Sequence, residues 1–292
     1  MSTTPRRPWT GPVRDFVGYG QHPPKVEWPD GAKVVVNVVI NYEEGAEYSV
    51  LDGDGFNDTW GEYTYTIPPE IRDIGTESHM EYGSRVGIWR IARMLDTFGI
   101  DVSMDCCALA LERNPEFCGW IRERNHEVIG HGWRWTEDSR MSRDEERESL
   151  DLAVRSLQQT TGQRVVGWIV RSFPSVNTRE LLLENGGFLY DSDACNDELP
   201  YYAFPHGEPF LVVPYSKIYN DVKYMTVPTL STPQHFFDNL KMGLDYMLAE
   251  ADRGEGNRLF TVGVHSRWTG QASRAQPLRD FIEYALGTDG VK

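Results

Sequence analysis

Apolar positions follow two patterns that take turns along the chain. Short β-branched runs recur, and between them lie longer segments whose apolar residues repeat every three or four positions. Residues 33–40 (KVVVNVVI) are almost wholly apolar, as in a strand covered on both faces. Ile88, Ile91, Leu95 and Phe98 have helical spacing, with Ser84 as candidate cap and Gly99 as stop, so a helix is predicted over 85–98. A strand is predicted at 102–109, a short helix at 115–124 and a strand at 127–131. Ser142 with Glu145 forms a capping box that opens a helix to about residue 161, and Gly162 ends it. Strands are predicted at 165–170, 188–192 and 210–215. Thr232-Pro233 opens a helix to about residue 252, 259–266 (LFTVGVHS) is a last strand, and 277–286 a closing helix.

This β–α alternation predicts an α/β protein with a parallel sheet and helices outside. No internal repeat or linker interrupts the 292 residues, so one domain is expected, with 1–31 as an extended arm. That arm carries Trp9, Phe16, Tyr19 and Trp28, which need a surface to pack on, either the barrel's outside or a partner subunit. Residues 46–83 form a long irregular stretch, and a loop of that length in a compact domain is usually functional.

The net charge of -15 repels phosphate backbones and anionic surfaces, so neither nucleic acid nor membrane is an expected partner. No run of about 18 apolar residues is present. Residues 1–16 have no apolar h-region, and four cysteines in so long a chain suit a reducing compartment, so a cytoplasmic protein is expected. Adjacent Cys106 and Cys107 would point to opposite faces of a strand and are not expected to pair.

In a parallel α/β barrel, working groups sit at the C-terminal ends of the strands. The predicted strands end in Glu43-Glu44, in His131, in Arg171, in Asp191-Ser192-Asp193 and in His265-Ser266-Arg267. Carboxylates and histidines converging on one rim suit amide hydrolysis: a carboxylate takes a proton from water and a histidine gives one to the leaving nitrogen. Arginine can steady the oxyanion or brace a carboxylate such as Asp191 or Asp193. Arg85 opens its predicted helix, where a cation opposes the dipole; a residue so placed either binds a carboxylate or substrate oxygen or is a plain surface arginine. Trp135 and Trp168 either line a pocket or pack in the core.

Tyr42-Glu43-Glu44-Gly45 resembles the paired-acid motif of the polysaccharide deacetylase (NodB-like) superfamily. His131, Arg171 and His265 resemble three further motif positions. The resemblance implies a distorted (β/α) barrel, a general base at Glu43, a general acid at His265 and a metal ligand at Glu44. Segments 14–20 (RDFVGYG), 81–85 (EYGSR), 186–193 (GGFLYDSD) and 199–202 (LPYY) are similar to the allantoinase-like and cyclic imide hydrolase branch, and extend the likeness over most of the chain.

The departures from the pattern carry information too. Both acids are glutamates, and Trp135 stands where the second metal histidine is expected. The implied cofactor is therefore none, or a weakly bound divalent metal, zinc if any, with Glu44, His131 and His79 as candidate ligands. The expected function is opening of the C–N bond in a small cyclic amide, a ureide or an imide. Glu43, Glu44, His131, His265 and Arg171 are its catalytic candidates, and Arg85, Trp135, Trp168, Asp191 and Arg267 its substrate-binding candidates. A polysaccharide N-deacetylase and a non-catalytic binding protein are the rival readings. A homo-oligomer is expected from the aromatic arm and from the similar branch.

Overall fold

A computed structural model of the chain describes residues 11–60, 62, 67–68, 70–226 and 229–292. Trp9 lies outside them. In chain order the elements are β1 (Val34–Tyr42), α1 (Ile74–Tyr82), α2 (Ile88–Phe98), β2 (Ser103–Cys106), α3 (Ala108–Glu112), α4 (Pro115–Arg124), β3 (Glu127–Gly130), α5 (Arg143–Thr161) and β4 (Gly167–Trp168). There follow α6 (Thr178–Asn185), β5 (Tyr190–Asp191), β6 (Tyr201–Ala203), β7 (Phe210–Val212), α7 (Pro233–Asp252), β8 (Arg258–His265) and α8 (Ala272–Leu286).

The eight strands form one curled sheet in the order β6-β7-β5-β4-β3-β2-β1-β8, parallel throughout except for the antiparallel pair β6–β7. This is the expected distorted α/β barrel, open between β6 and β8. Chain between those edges covers the gap: Leu259 N donates to Glu198 O (2.9 Å) and Gly263 N to Tyr219 O (3.0 Å). β-Branched and aromatic residues on the outer face of the strands bury against α2, α5, α7 and α8. A smaller inner cluster holds Val39, Ile129, Ile169 and Tyr215.

Strand alternation decides what points inward. Val39 faces inward, so Asn41 and then Glu43 follow on the same side. Register sets Asn41 beside Asp105 on β2 and beside His265 on β8, and Asp105 beside Ile129 on β3, two residues before His131. Gly263 is required by the same geometry, because a Cβ there would collide with the Tyr215 hydroxyl inside the barrel.

Several elements differ from the pattern prediction. Ser84 is not a cap: α1 begins after Asp73, whose carboxylate accepts from Thr76 N (3.0 Å), and helix continues through a π-turn at 83–87 into α2. The irregular stretch therefore ends near residue 73. Gly83 and Gly87 sit one turn apart, and a Cβ on them would strike Glu44 and the Ser266 carbonyl respectively. The helix backbone thus packs directly on the site's framework, which mean apolar spacing does not reveal. α8 starts at Ala272 rather than Pro277, and Pro277 lies inside it. Strands β4, β5 and β7 are shorter than predicted, α3 occupies the end of the predicted 102–109 strand, and α6 and β6 were not expected. The α5 capping box is present with both bonds, and α7 starts at Pro233.

Candidate active site

Inward alternation brings Glu43, His131 and His265 to one point at the C-terminal rim of the sheet. His131 Nε2 lies 3.2 Å from Glu43 Oε1, and His265 Nε2 lies 3.5 Å from that same oxygen. The other ring nitrogens are fixed. His131 Nδ1 donates to the Ile169 carbonyl (2.8 Å), and His265 Nδ1 donates to Asp221 Oδ1 (2.6 Å). Each Nε2 is thereby left as the nitrogen that exchanges a proton toward Glu43. Asp221 is held in turn, because its Oδ2 accepts from His265 N (2.8 Å) and Thr269 Oγ1 (2.7 Å).

Burial opposes every charge here, and the neighbours outweigh it. Arg267, His265 and His131 hold the Glu43 carboxyl well below the usual carboxylate range despite its desolvation. Desolvation would lower His131, yet Asp105 and Glu43 push it up to about 9. His265 is also raised against burial, by Glu43 and Asp221. The site thus presents an ionised carboxylate beside a protonated His131 near neutral pH, with His265 shifted toward its protonated form. Asp105 lies behind His131, 3.5 Å from Nδ1; burial pushes its carboxyl up to about 7, and neither oxygen has a hydrogen-bond partner.

These groups open on a cavity of about 350 Å3 walled by Trp60, Trp135, Tyr215 and Trp268, with Asn41, Asn220, Lys217 and Lys223 among its polar lining.

The other predicted site residues go elsewhere. Glu44 turns away from this cavity: its Oε2 accepts from Glu43 N (3.1 Å) and its Oε1 from Arg267 N (3.1 Å), and it lines a separate cavity. Arg85 also borders that second cavity, exposed and 3.4 Å from Glu81; it lies mid-helix and not at a helix start. Arg171 braces neither Asp191 nor Asp193. It pairs with Asp58 (2.6 Å), donates to Trp135 O (2.7 Å) and stacks on the Trp135 ring (3.7 Å). Asp191 is bound by Arg179 (2.5 and 2.9 Å), and Trp168 packs on Phe188 in the core. Trp135 does both things weighed for it: it lines the cavity and belongs to the buried core. Arg267 is fully buried against the two glutamates and does not line the cavity.

The donor set does not fit a bound metal. Glu44 has both oxygens engaged, Trp135 offers no lone pair at the second histidine position, and a guanidinium stands 3.4 Å from Glu44. His79 keeps an unpartnered Nε2 but joins no cluster, and among the described residues no three His, Cys, Asp or Glu side chains group as a metal site.

Sequence reading missed Asp105, Asp221, Tyr215 and Asn41. A carboxylate inside the otherwise apolar 102–107 segment was a usable signal for Asp105. Asp221 gave none, because a loop far along the chain delivers it.

A curled parallel sheet with an acid and two histidines at its C-terminal rim defines a hydrolase of the NodB type. No protein-family model matches the chain. The Schizosaccharomyces pombe protein named "Putative polysaccharide deacetylase" is 30% identical over 96% of this chain and 93% of its own length. Two solved structures, each 36% identical with a TM-score of 0.89 and covering 95% of this chain, are a "probable Polysaccharide deacetylase" from Pseudomonas aeruginosa PAO1 (93% of that chain) and Puue Allantoinase (92% of that chain). The chain belongs to the polysaccharide deacetylase superfamily.

Proposed function

We propose that the protein hydrolyses the C–N amide bond of a small cyclic amide, such as a ureide or a cyclic imide. The observation that carries this reading is the size and wall of the cavity. About 350 Å3 bounded by aromatic rings is at the lower end for small-molecule sites and suits one flat ring better than a polymer strand. Similarity to Puue Allantoinase supports the same substrate class.

In this mechanism Glu43 takes a proton from water as the water oxygen attacks the ring carbonyl carbon. His131, through Nε2, orients and polarises the carbonyl oxygen. His265 gives its Nε2 proton to the ring nitrogen as the C–N bond breaks, and the ring opens to a carboxylate and an amide. The close approach of both Nε2 atoms to Glu43 Oε1 at the cavity wall supports giving these three groups the proton-transfer roles. The test is hydrolysis of individual ring amides followed by proton release. Turnover that vanishes in Glu43→Gln supports the reading; full activity of Glu43→Gln removes it.

Polysaccharide N-deacetylation is the second reading, favoured by the names of the relatives. Release of acetate from an N-acetylated oligosaccharide would establish it. The proposal also includes a cytoplasmic homo-oligomer. Four free cysteines support the location. Val13, Phe16 and Val17, exposed at 97%, 78% and 80% on the arm, support the assembly, which sedimentation of the full chain would measure.

A further inference from the structure

We propose that Arg267 is the fixed cation of this site and that its guanidinium does for the two glutamates what a divalent ion does in metal-dependent members of the superfamily. Its NH1 lies 2.7 Å from Glu43 Oε2 and 3.4 Å from Glu44 Oε1, so one charge bridges both acids. Its backbone N–H also donates to Glu44 Oε1 (3.1 Å), which ties the turn after β8 to the turn after β1.

The surroundings are built for a guanidinium. The group is completely buried, with its central carbon 4.3 Å from the Trp268 ring centroid and 4.9 Å from that of Trp135. Aromatic faces hold a planar cation in place with little competition from water. Nε and NH2 have no hydrogen-bond acceptor, so the rings and the two carboxylates are what offset the cost of burying this charge. Trp135 is the residue four positions after His131, where the superfamily pattern places a metal histidine. Here that position supplies a platform for arginine in place of a ligand for an ion. A divalent cation beside Glu44 would be repelled by the guanidinium already there.

Arg267 also takes over the bracing of the acid. Arg171, at the motif position that resembles the family arginine, is committed to Asp58 and to the Trp135 carbonyl. Arg267 does not border the cavity. It is therefore a positioning residue, acting on the reaction by keeping Glu43 ionised and aimed.

The activity arm of the test rests on the hydrolase reading of the previous subsection; a second arm does not. With a ring substrate that the wild type turns over, Arg267→Met is expected to lose kcat by about 10²-fold or more, on the scale of one lost electrostatic group at an active site, with KM changed little. Arg267→Lys, which keeps the charge, should retain at least tenfold more activity than Arg267→Met. Arg267→Ala should regain at least tenfold in low millimolar guanidinium, below denaturing concentrations. In the second arm, zinc is titrated calorimetrically into each folded variant without substrate. The wild type and Arg267→Lys are expected to take up no stoichiometric zinc, and Arg267→Ala, with the competing cation gone from beside the two acids, to bind one equivalent. A folded Arg267→Met enzyme within threefold of wild-type kcat would overturn the proposal, as would one tight equivalent of zinc in the wild type or zinc behaviour identical in wild type and Arg267→Ala. A wild type inert on every ring but with the expected zinc contrast would instead refute the cyclic-amide reading and leave the role of Arg267 standing.

Discussion

Glu43 is the residue on which charge balance in the site turns. Arg267, His131 and His265 converge on its carboxylate and hold it well below the usual carboxylate range. Glu43→Gln removes the proposed base while keeping its shape; turnover should fall about 10²- to 10⁴-fold, and Tm should fall as well, because the buried Arg267 loses one of its two carboxylates. Asp221 acts one bond further out. Replacing it by Asn removes the charge that raises His265, so the alkaline limb of the pH–rate profile should move to lower pH and kcat should fall; an unmoved limb would remove Asp221 from the proton path. His131 makes a separate prediction about stability. Its folded value is raised from about 6.5 to about 9, so its contribution is fully present below about pH 6.5 and is lost as pH climbs through 9. Tm should decline over that window in the wild type and decline less in His131→Gln; parallel curves would contradict the assigned charge.

At the scale of elements, the site depends on how closely α1–α2 rides on the strand ends. Gly87→Ala places a methyl against the Ser266 carbonyl, between His265 and Arg267, and should cost more activity than its small size suggests, with a lowered Tm; a neutral Gly87→Ala would mean the helix can retreat freely. Ser142→Ala, at the α5 capping box far from the chemistry, should cost about 1 kcal/mol in denaturant unfolding and leave kcat unchanged. These elements also mark what the sequence could and could not disclose. α5 and α7 were legible because caps and a proline announce their starts, and β1 and β8 because buried parallel strands are continuous apolar runs. β4 and β5 hold only short ladders, so their apolar runs overstate them. Ser84 looked like a cap because the polar residues before it hid a helix already under way, with low amphipathicity and a π-turn. Glu43, His131 and His265 were legible as strand ends. Glu44 was adjacent in sequence yet faces the other way, since neighbouring residues at a strand end diverge. Arg85, Asp191 and Trp168 carried plausible residue types, but Arg85 lies exposed beside Glu81 one turn back on its own helix, Arg179 of α6 holds Asp191, and Trp168 packs on Phe188.

At the scale of the molecule, an acidic chain encloses a small aromatic cavity with Lys217 and Lys223 in its lining. The acidic charge is the ground for expecting no polyanionic partner, and the proposed function has this cavity take a neutral ring. Among the described residues no helix is long and apolar enough to cross a membrane. Allantoin, succinimide, a hydantoin, a dihydropyrimidine and an N-acetylated chito-oligomer, each incubated with the purified chain and followed in parallel for proton and acetate release, test the central claim most directly. Proton release is expected from at least one ring, with no acetate from the oligomer. Acetate from the oligomer with every ring left intact would contradict it.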